Sequence, residues 1–201
     1  SVVFVSYFFG ATMYSASFAD YVLSAFPEIN GKIVAFAILT IFVVLNLCGI
    51  QVAAKVQYLL VIVLVIALLL FTGFGIIHLE PGYFDENQFF TNGFTGVMSA
   101  AALLSMATSG ATFIINMSRE AKNPKKDIPF CIVVGTVIVT ILYIGVGVVA
   151  AGVFPVEHVA GQNLSKVARE ILPTPLYIFF IVGGAMVALV TSLNANLGWL
   201  Q

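Results

Sequence analysis

The sequence predicts an all-α integral membrane protein, and three observations carry that expectation. Of 201 residues, 61% are hydrophobic and only 8% are charged, whereas a soluble domain carries about 25% charged residues. Six apolar stretches, at residues 2–26, 33–50, 56–77, 94–117, 128–154 and 173–200, approach or exceed the roughly 20 helical residues that cross a hydrocarbon core. Their lengths suit helices and not barrel strands. The one dense charge cluster, Ser118-Arg119-Glu120-Ala121-Lys122-Asn123-Pro124-Lys125-Lys126-Asp127-Ile128-Pro129, lies between two of these runs, as a basic loop beside membrane spans does.

The first span ends at Pro27-Glu28-Ile29-Asn30-Gly31. It carries a stripe of Ser6, Gly10, Met13, Ser17 and Asp20, with Tyr7, Tyr14 and Tyr21 on the neighbouring face. Asp20 stands about two turns from Pro27, so a solvated or hydrogen-bonded role near the outer interface is set against a gate or proton carrier. The second span closes at Gly49 and Gln51; the third is free of charge and stops at Glu80-Pro81-Gly82.

The fourth span is interrupted by small and polar residues. Ser105, Ser109, Thr112 and Asn116 recur at i, i+4, i+7 and i+11 and share one helical stripe. Thr108-Ser109-Gly110-Ala111-Thr112 combines glycine with weak helix formers, and irregular backbone at membrane depth is tolerated where it lines a cavity. A break near residues 107–111 is expected on that ground; close helix packing with back-bonded hydroxyls is the alternative. In the fifth span Pro129 follows Asp127 as a first-turn proline. The sixth aligns Gly183, Gly184, Ala188, Thr191, Ala195 and Gly198, with Ser192, Asn194 and Asn196 close by. Packing explains the glycines. It does not explain two asparagines and a Thr-Ser pair in an apolar helix, whose amides are costly in hydrocarbon without partners.

Alternate connections hold Lys55 and then Arg119, Lys122, Lys125 and Lys126, while the opposite set holds Lys32, Lys166 and Arg169 among Glu28, Glu80, Asp85, Glu86, Glu157 and Glu170. The first set is expected to face the cytoplasm, and the segment 162–172 to include an amphipathic turn at the outer interface. Cys48 and Cys131 fall near cytoplasmic span ends and read as free thiols. No signal peptide is visible, and with both ends abrupt the chain reads as a piece of a longer protein.

Several motif matches fail their context. Gly145-Val146-Gly147-Val148-Val149-Ala150 satisfies a dinucleotide pattern, but it lies inside a span with no preceding strand. His78 and His158 have no ligand neighbours at metal spacing, so no metal site is expected. Asn163-Leu164-Ser165 is a formal glycosylation sequon on the outer side. No nucleophile–base pair or paired carboxylates fall within the spans, so the chain is not expected to be an enzyme. A net charge of −1 with clustered basic residues gives no reason to expect nucleic acid as a partner.

Three segments resemble the amino acid–polyamine–organocation permeases. Gly110 with residues 118–129 resembles the end of their sixth span and the following loop. Asn46-Leu47-Cys48-Gly49-Ile50-Gln51-Val52-Ala53-Ala54-Lys55-Val56-Gln57 resembles their connection between spans four and five, and Thr191-Ser192-Leu193-Asn194-Ala195 resembles a stretch of span eight. The resemblance covers the chain as spans three to eight of twelve, with the remaining transporter helices missing. It implies a LeuT-like inverted repeat of five plus five helices with substrate held near the midplane by broken helices.

By position, the resemblance implies that Ala107, Thr108, Ser109 and Gly110 form the broken segment, with Thr112 just beyond. Tyr7, Ala11 and Tyr14 would line the pocket from one side and Asn196 from the other. Thr191 and Ser192 resemble the hydroxyl pair of sodium-coupled relatives. Where many members carry an aromatic before the glycine and an acid after it, this chain has Ser109 and Thr112, which weakens the case for a cationic substrate. The lysine that some proton-coupled relatives place in span five corresponds to about Leu64, which argues against a lysine-borne proton. The expected function is a permease moving amino acids by alternating access, with Na+ or H+ as coupling ion and no cofactor; a non-transporting membrane scaffold or interaction subunit is the alternative.

Overall fold

A computed structural model describes the chain except residues 1, 26–27, 49, 81, 83–92, 109–122, 160–163 and 199–201; at 2–8, 24–25, 50–51, 103, 106–108, 156 and 198 only the backbone is described. Every described element is a helix: α1 (Val2–Ala25), α2 (Gly31–Leu47), α3 (Ile50–Ile77), α4 (Gly93–Thr108), α5 (Pro124–Gly152), α6 (Val156–Val159), α7 (Ser165–Ile171), α8 (Thr174–Phe179), a π-helical segment Phe180–Met186, and α9 (Val187–Gly198). Among the described residues three helices are long and apolar enough to cross a membrane: Val52–Ile77, Pro124–Gly152 and the composite Thr174–Leu197. The protein is a multi-pass membrane protein.

The chain forms two compact units, one of Ser1–Phe71 with Ala168–Gln201 and the other of Thr72–Val167. In the first, α1 lies against α2 and α9. Its core cluster joins Ala11, Phe42, Val190, Leu193 and Leu197, with Tyr14, Phe18, Ile38, Leu39, Val56 and Leu60 packed around it. The inward face of α1 is Ala11, Ser15 and Ala19, all buried at the i, i+4 spacing of one helical face. Ser15 satisfies its hydroxyl on the Ala11 and Thr12 carbonyls, both at 3.0 Å. Of the stripe named from the sequence, Met13 is 65% exposed, Asp20 is exposed, and Gly10 lies against Asn196. Close helix approach selects side chains that add little bulk or bond back to their own backbone, and Ala11, Ser15 and Ala19 meet that condition where Met13 does not.

The π-helical segment packs on α3 through its glycines. A Cβ on Gly183 would stand 3.0 Å from Val63, and one on Gly184 would stand 3.5 Å from Ala67. Beside them Phe71 and Phe180 stack with ring centroids 4.8 Å apart.

In the second unit, Gly75 receives Val149 so closely that any Cβ would overlap it, and Gly145 faces Thr72, whose methyl would stand 2.7 Å from an added Cβ. The Glu80 N–H donates to the Gly152 carbonyl at 2.9 Å. These contacts tie the end of α3 to α5.

Two helix starts differ from the sequence expectation. The gap expected between residues 50 and 56 is helical, because the intervening residues carry neither glycine nor proline; Lys55 is exposed on the early turns of α3. α5 starts at Pro124, with Asn123 as cap residue and its N–H donating to the Asp127 carboxylate at 3.0 Å. Lys125 and Lys126 therefore belong to the first turn. Pro129 lies inside the helix and costs it one backbone bond. α7 buries Val167, Ala168 and Ile171 and exposes Lys166, Arg169 and Glu170, so the segment 162–172 contains an amphipathic helix.

Candidate functional site

The polar residues of α9 divide by direction. Successive helical residues turn about 100°, so Asn194 and Asn196 point to nearly opposite sides. Asn194 is buried with every polar atom bonded: its Oδ1 accepts from Asn46 Nδ2 at 2.9 Å, and its Nδ2 donates to the Ala53 carbonyl at 3.3 Å and to Gln57 Oε1 at 2.8 Å. Asn46 Nδ2 donates its other hydrogen to the Phe42 carbonyl at 2.9 Å. One amide thus joins α2, α3 and α9. Burying it without partners would cost roughly 2–7 kcal/mol, and this arrangement removes that cost.

Asn196 faces α1. Its Nδ2 lies where a Cβ on Gly10 would be only 2.7 Å away, so glycine is what lets the amide lie on the α1 backbone. Its Oδ1 is buried and has no hydrogen-bond partner among the described residues. A buried acceptor left open in this way is a place for a donor from a bound molecule or an ordered water. Thr191 and Ser192 both donate to the Ala188 carbonyl, at 2.8 and 2.9 Å. Back-bonding uses their protons and leaves oxygen lone pairs for another donor or a hard cation.

Ala11 sits in the core cluster beside Leu193 and Leu197, with Tyr14 packed against it. The structure therefore gathers Ala11, Tyr14 and Asn196 at the α1–α9 contact. Tyr7 is on α1 and is described by its backbone alone. Ala107 and Thr108 are the last residues of α4, also backbone only, while Ser109, Gly110 and Thr112 lie outside the described residues. Between α1 and α2 an open cleft of about 440 Å³ is lined by Ala16, Ala19, Asp20, Leu23, Asn30 and Lys32, among others. Among the described residues no cluster of His, Cys, Asp or Glu could hold a metal ion, and Cys48 and Cys131 are exposed and free.

Sequence reasoning passed over Asn46 and Gln57 as parts of a functional site. The signal was present, since each is an amide in or beside an apolar run. The π-helical segment left no such mark.

Residues 1–199 match the amino acid permease family. The chain belongs to that family. An uncharacterized protein of Methanocaldococcus jannaschii is 27% identical over 98% of this permease chain and 46% of its own length. A branched-chain amino acid permease of Bacillus subtilis is 34% identical over 64% of the chain and 27% of its own length. An aspartate-proton symporter of the same organism is 29% identical over 65% and 26%. This permease chain thus spans less than half the length of these relatives.

Proposed function

We propose that the chain is the central portion, spans three to eight, of a longer permease of the cell membrane that carries amino acids by alternating access. The observation that carries this reading is the match of residues 1–199 to the amino acid permease family, and relatives named for branched-chain amino acids and for aspartate favour an amino acid as substrate. In this reading the six apolar stretches are transmembrane helices of a LeuT-like fold, and the connections near Lys55 and residues 119–126 face the cytoplasm. The segment formed by Ala107, Thr108, Ser109 and Gly110, with Thr112 beyond it, unwinds to offer bare peptide groups to the substrate. Tyr7, Ala11 and Tyr14 border the pocket from α1, and the open Asn196 acceptor, the one buried amide oxygen without a partner among the described residues, borders it from α9. Thr191 and Ser192 are the candidate sodium ligands; no cofactor is invoked.

The test is uptake by the full-length permease in proteoliposomes. Gly110→Leu is expected to abolish uptake without abolishing membrane insertion, and wild-type uptake by that variant overturns the hinge. Replacing sodium by choline at fixed pH collapses uptake for a sodium symporter and leaves a proton symporter or exchanger active. A non-transporting scaffold would bind no labelled amino acid at all.

A further inference from the structure

We infer that Asn194 is a positioning residue for transport: by clamping α9 to α2 and α3 it holds the helix in the one angular setting that presents Asn196 to the α1 face. The inference rests on the reading of Asn196 as a substrate contact. It starts from the division of labour between the two asparagines. Asn194 spends both amide hydrogens and its oxygen on protein, on Ala53, Gln57 and Asn46, while Asn196 keeps a buried oxygen open among the described residues.

The clamp also has a defined sense. Asn46 Nδ2 is held as a donor because it bonds the Phe42 carbonyl, and the Ala53 carbonyl can only accept. Turning the Asn194 amide over would set N–H against N–H and oxygen against oxygen. The side chain therefore has one satisfied orientation. A rotation of α9 large enough to withdraw Asn196 from Gly10 would break all three Asn194 bonds together.

The segment before α9 makes such a clamp necessary. The π-helical segment Phe180–Met186 has i→i+5 bonding, a wide turn that tolerates a change of phase better than a regular α-helix. A helix that follows a wide turn needs its phase fixed elsewhere; the described residues supply that through the packing of Val190, Leu193 and Leu197 and, as the directional hydrogen-bonded part, at Asn194.

None of the described partners of Asn194 titrates, so wild-type transport gains no pH dependence through it, and this supplies the test. Michaelis constants for uptake are measured in the full-length permease for wild type, Asn194→Leu, Asn194→Asp and Asn196→Leu. Asn194→Leu removes the clamp and is expected to raise KM by up to about ten-fold, as the loss of one hydrogen bond to a bound molecule does. In Asn194→Asp a carboxylate cannot donate to the Ala53 carbonyl, whereas the protonated acid can donate once and accept once. Its KM relative to wild type at the same pH should therefore fall toward unity as the assay is taken from about pH 8 to about pH 5.

A KM ratio for Asn194→Asp that is flat with pH, or a wild-type KM for Asn194→Leu alongside a raised KM for Asn196→Leu, overturns the positioning role while leaving the substrate site standing. A wild-type KM for Asn196→Leu removes that side chain from the substrate site, and this inference falls with it. Should Asn194→Leu fail to insert, the pH series of Asn194→Asp decides alone.

Discussion

Helix α5 and the composite span Thr174–Leu197 are both apolar enough to cross a membrane, yet protein covers 11% of the most apolar stretch of α5 and 33% of that of the composite span. α5 is α-helical throughout and meets protein at a few small-residue contacts, Gly145 on Thr72 and Val149 on Gly75. The composite span is interrupted by a π-helical segment, buries two glycines against α3, and carries the Asn194 amide into bonds with two other helices. The difference shows where an apolar helix keeps a bonded amide: on the side where another helix supplies partners, while a hydroxyl such as that of Thr40, which bonds its own Phe36 carbonyl, can stand exposed. α5 has little protein against it over most of its length, and after its first turns it is mostly Val, Ile and Gly.

The sharpest way to break this comparison is to shorten each helix by one residue. Deleting Val139 should turn Gly145 and Val149 about 100° away from Thr72 and Gly75 and remove most of the folded protein, read as monodisperse protein after detergent extraction. Deleting Ala185 should let residues 180–186 close to regular α-helical bonding with Asn194 still on its partners, so most of the folded protein should survive. Equal losses from the two deletions would remove the distinction.

Next in size is the Asn46–Asn194 pair. Either Asn46→Leu or Asn194→Leu leaves a buried partner unsatisfied and should destabilise the permease by about 1–3 kcal/mol. The double variant should lose less than the sum, because the two vacancies are then matched. Thermal unfolding of the four proteins of the cycle measures the coupling, and simple additivity would show that the bond contributes nothing.

Smaller in total is Gly75→Ala, where the new methyl overlaps Val149. Overpacking costs about 1–3 kcal/mol, and Val149→Ala in the same chain should recover most of it by opening the space. The smallest effect is expected at Gly147, which has nothing within 4 Å of an added Cβ. Gly147→Ala should be neutral or raise stability by about 0.5–1 kcal/mol through helix propensity alone.

Much of the architecture was legible because one physical quantity, the length of an uncharged apolar run, dictates a membrane-spanning helix; the run 56–77 falls within a described helix that can span, and the run 128–154 does so up to residue 152. The ends were less legible. Lys55 and Lys125 can sit at the tip of a loop or on the first turns of a helix with equal ease, since either place leaves the ammonium in water, and the structure puts both on helices. The stripe on α1 was visible as a spacing, but helical spacing nominates several faces, and only the neighbouring helices choose Ala11, Ser15 and Ala19 as the buried one. Of the candidate site, Asn196 and Thr191 were visible as polar residues in an apolar helix. The group from Ser109 to Thr112 lies outside the described residues.

By itself the sequence determined that the chain is helical, lives in a bilayer and belongs among amino acid permeases, because hydropathy and local motifs act within a few turns of the chain. Which amide of α9 is spent on structure and which is left open was decided only by tertiary structure. Asn194 finds its partners 148 and 137 residues away, and Asn196 rests on a glycine of α1. A hydrogen bond acts over about 3 Å, so identical side chains two residues apart take opposite roles according to which helix folding brings within that reach.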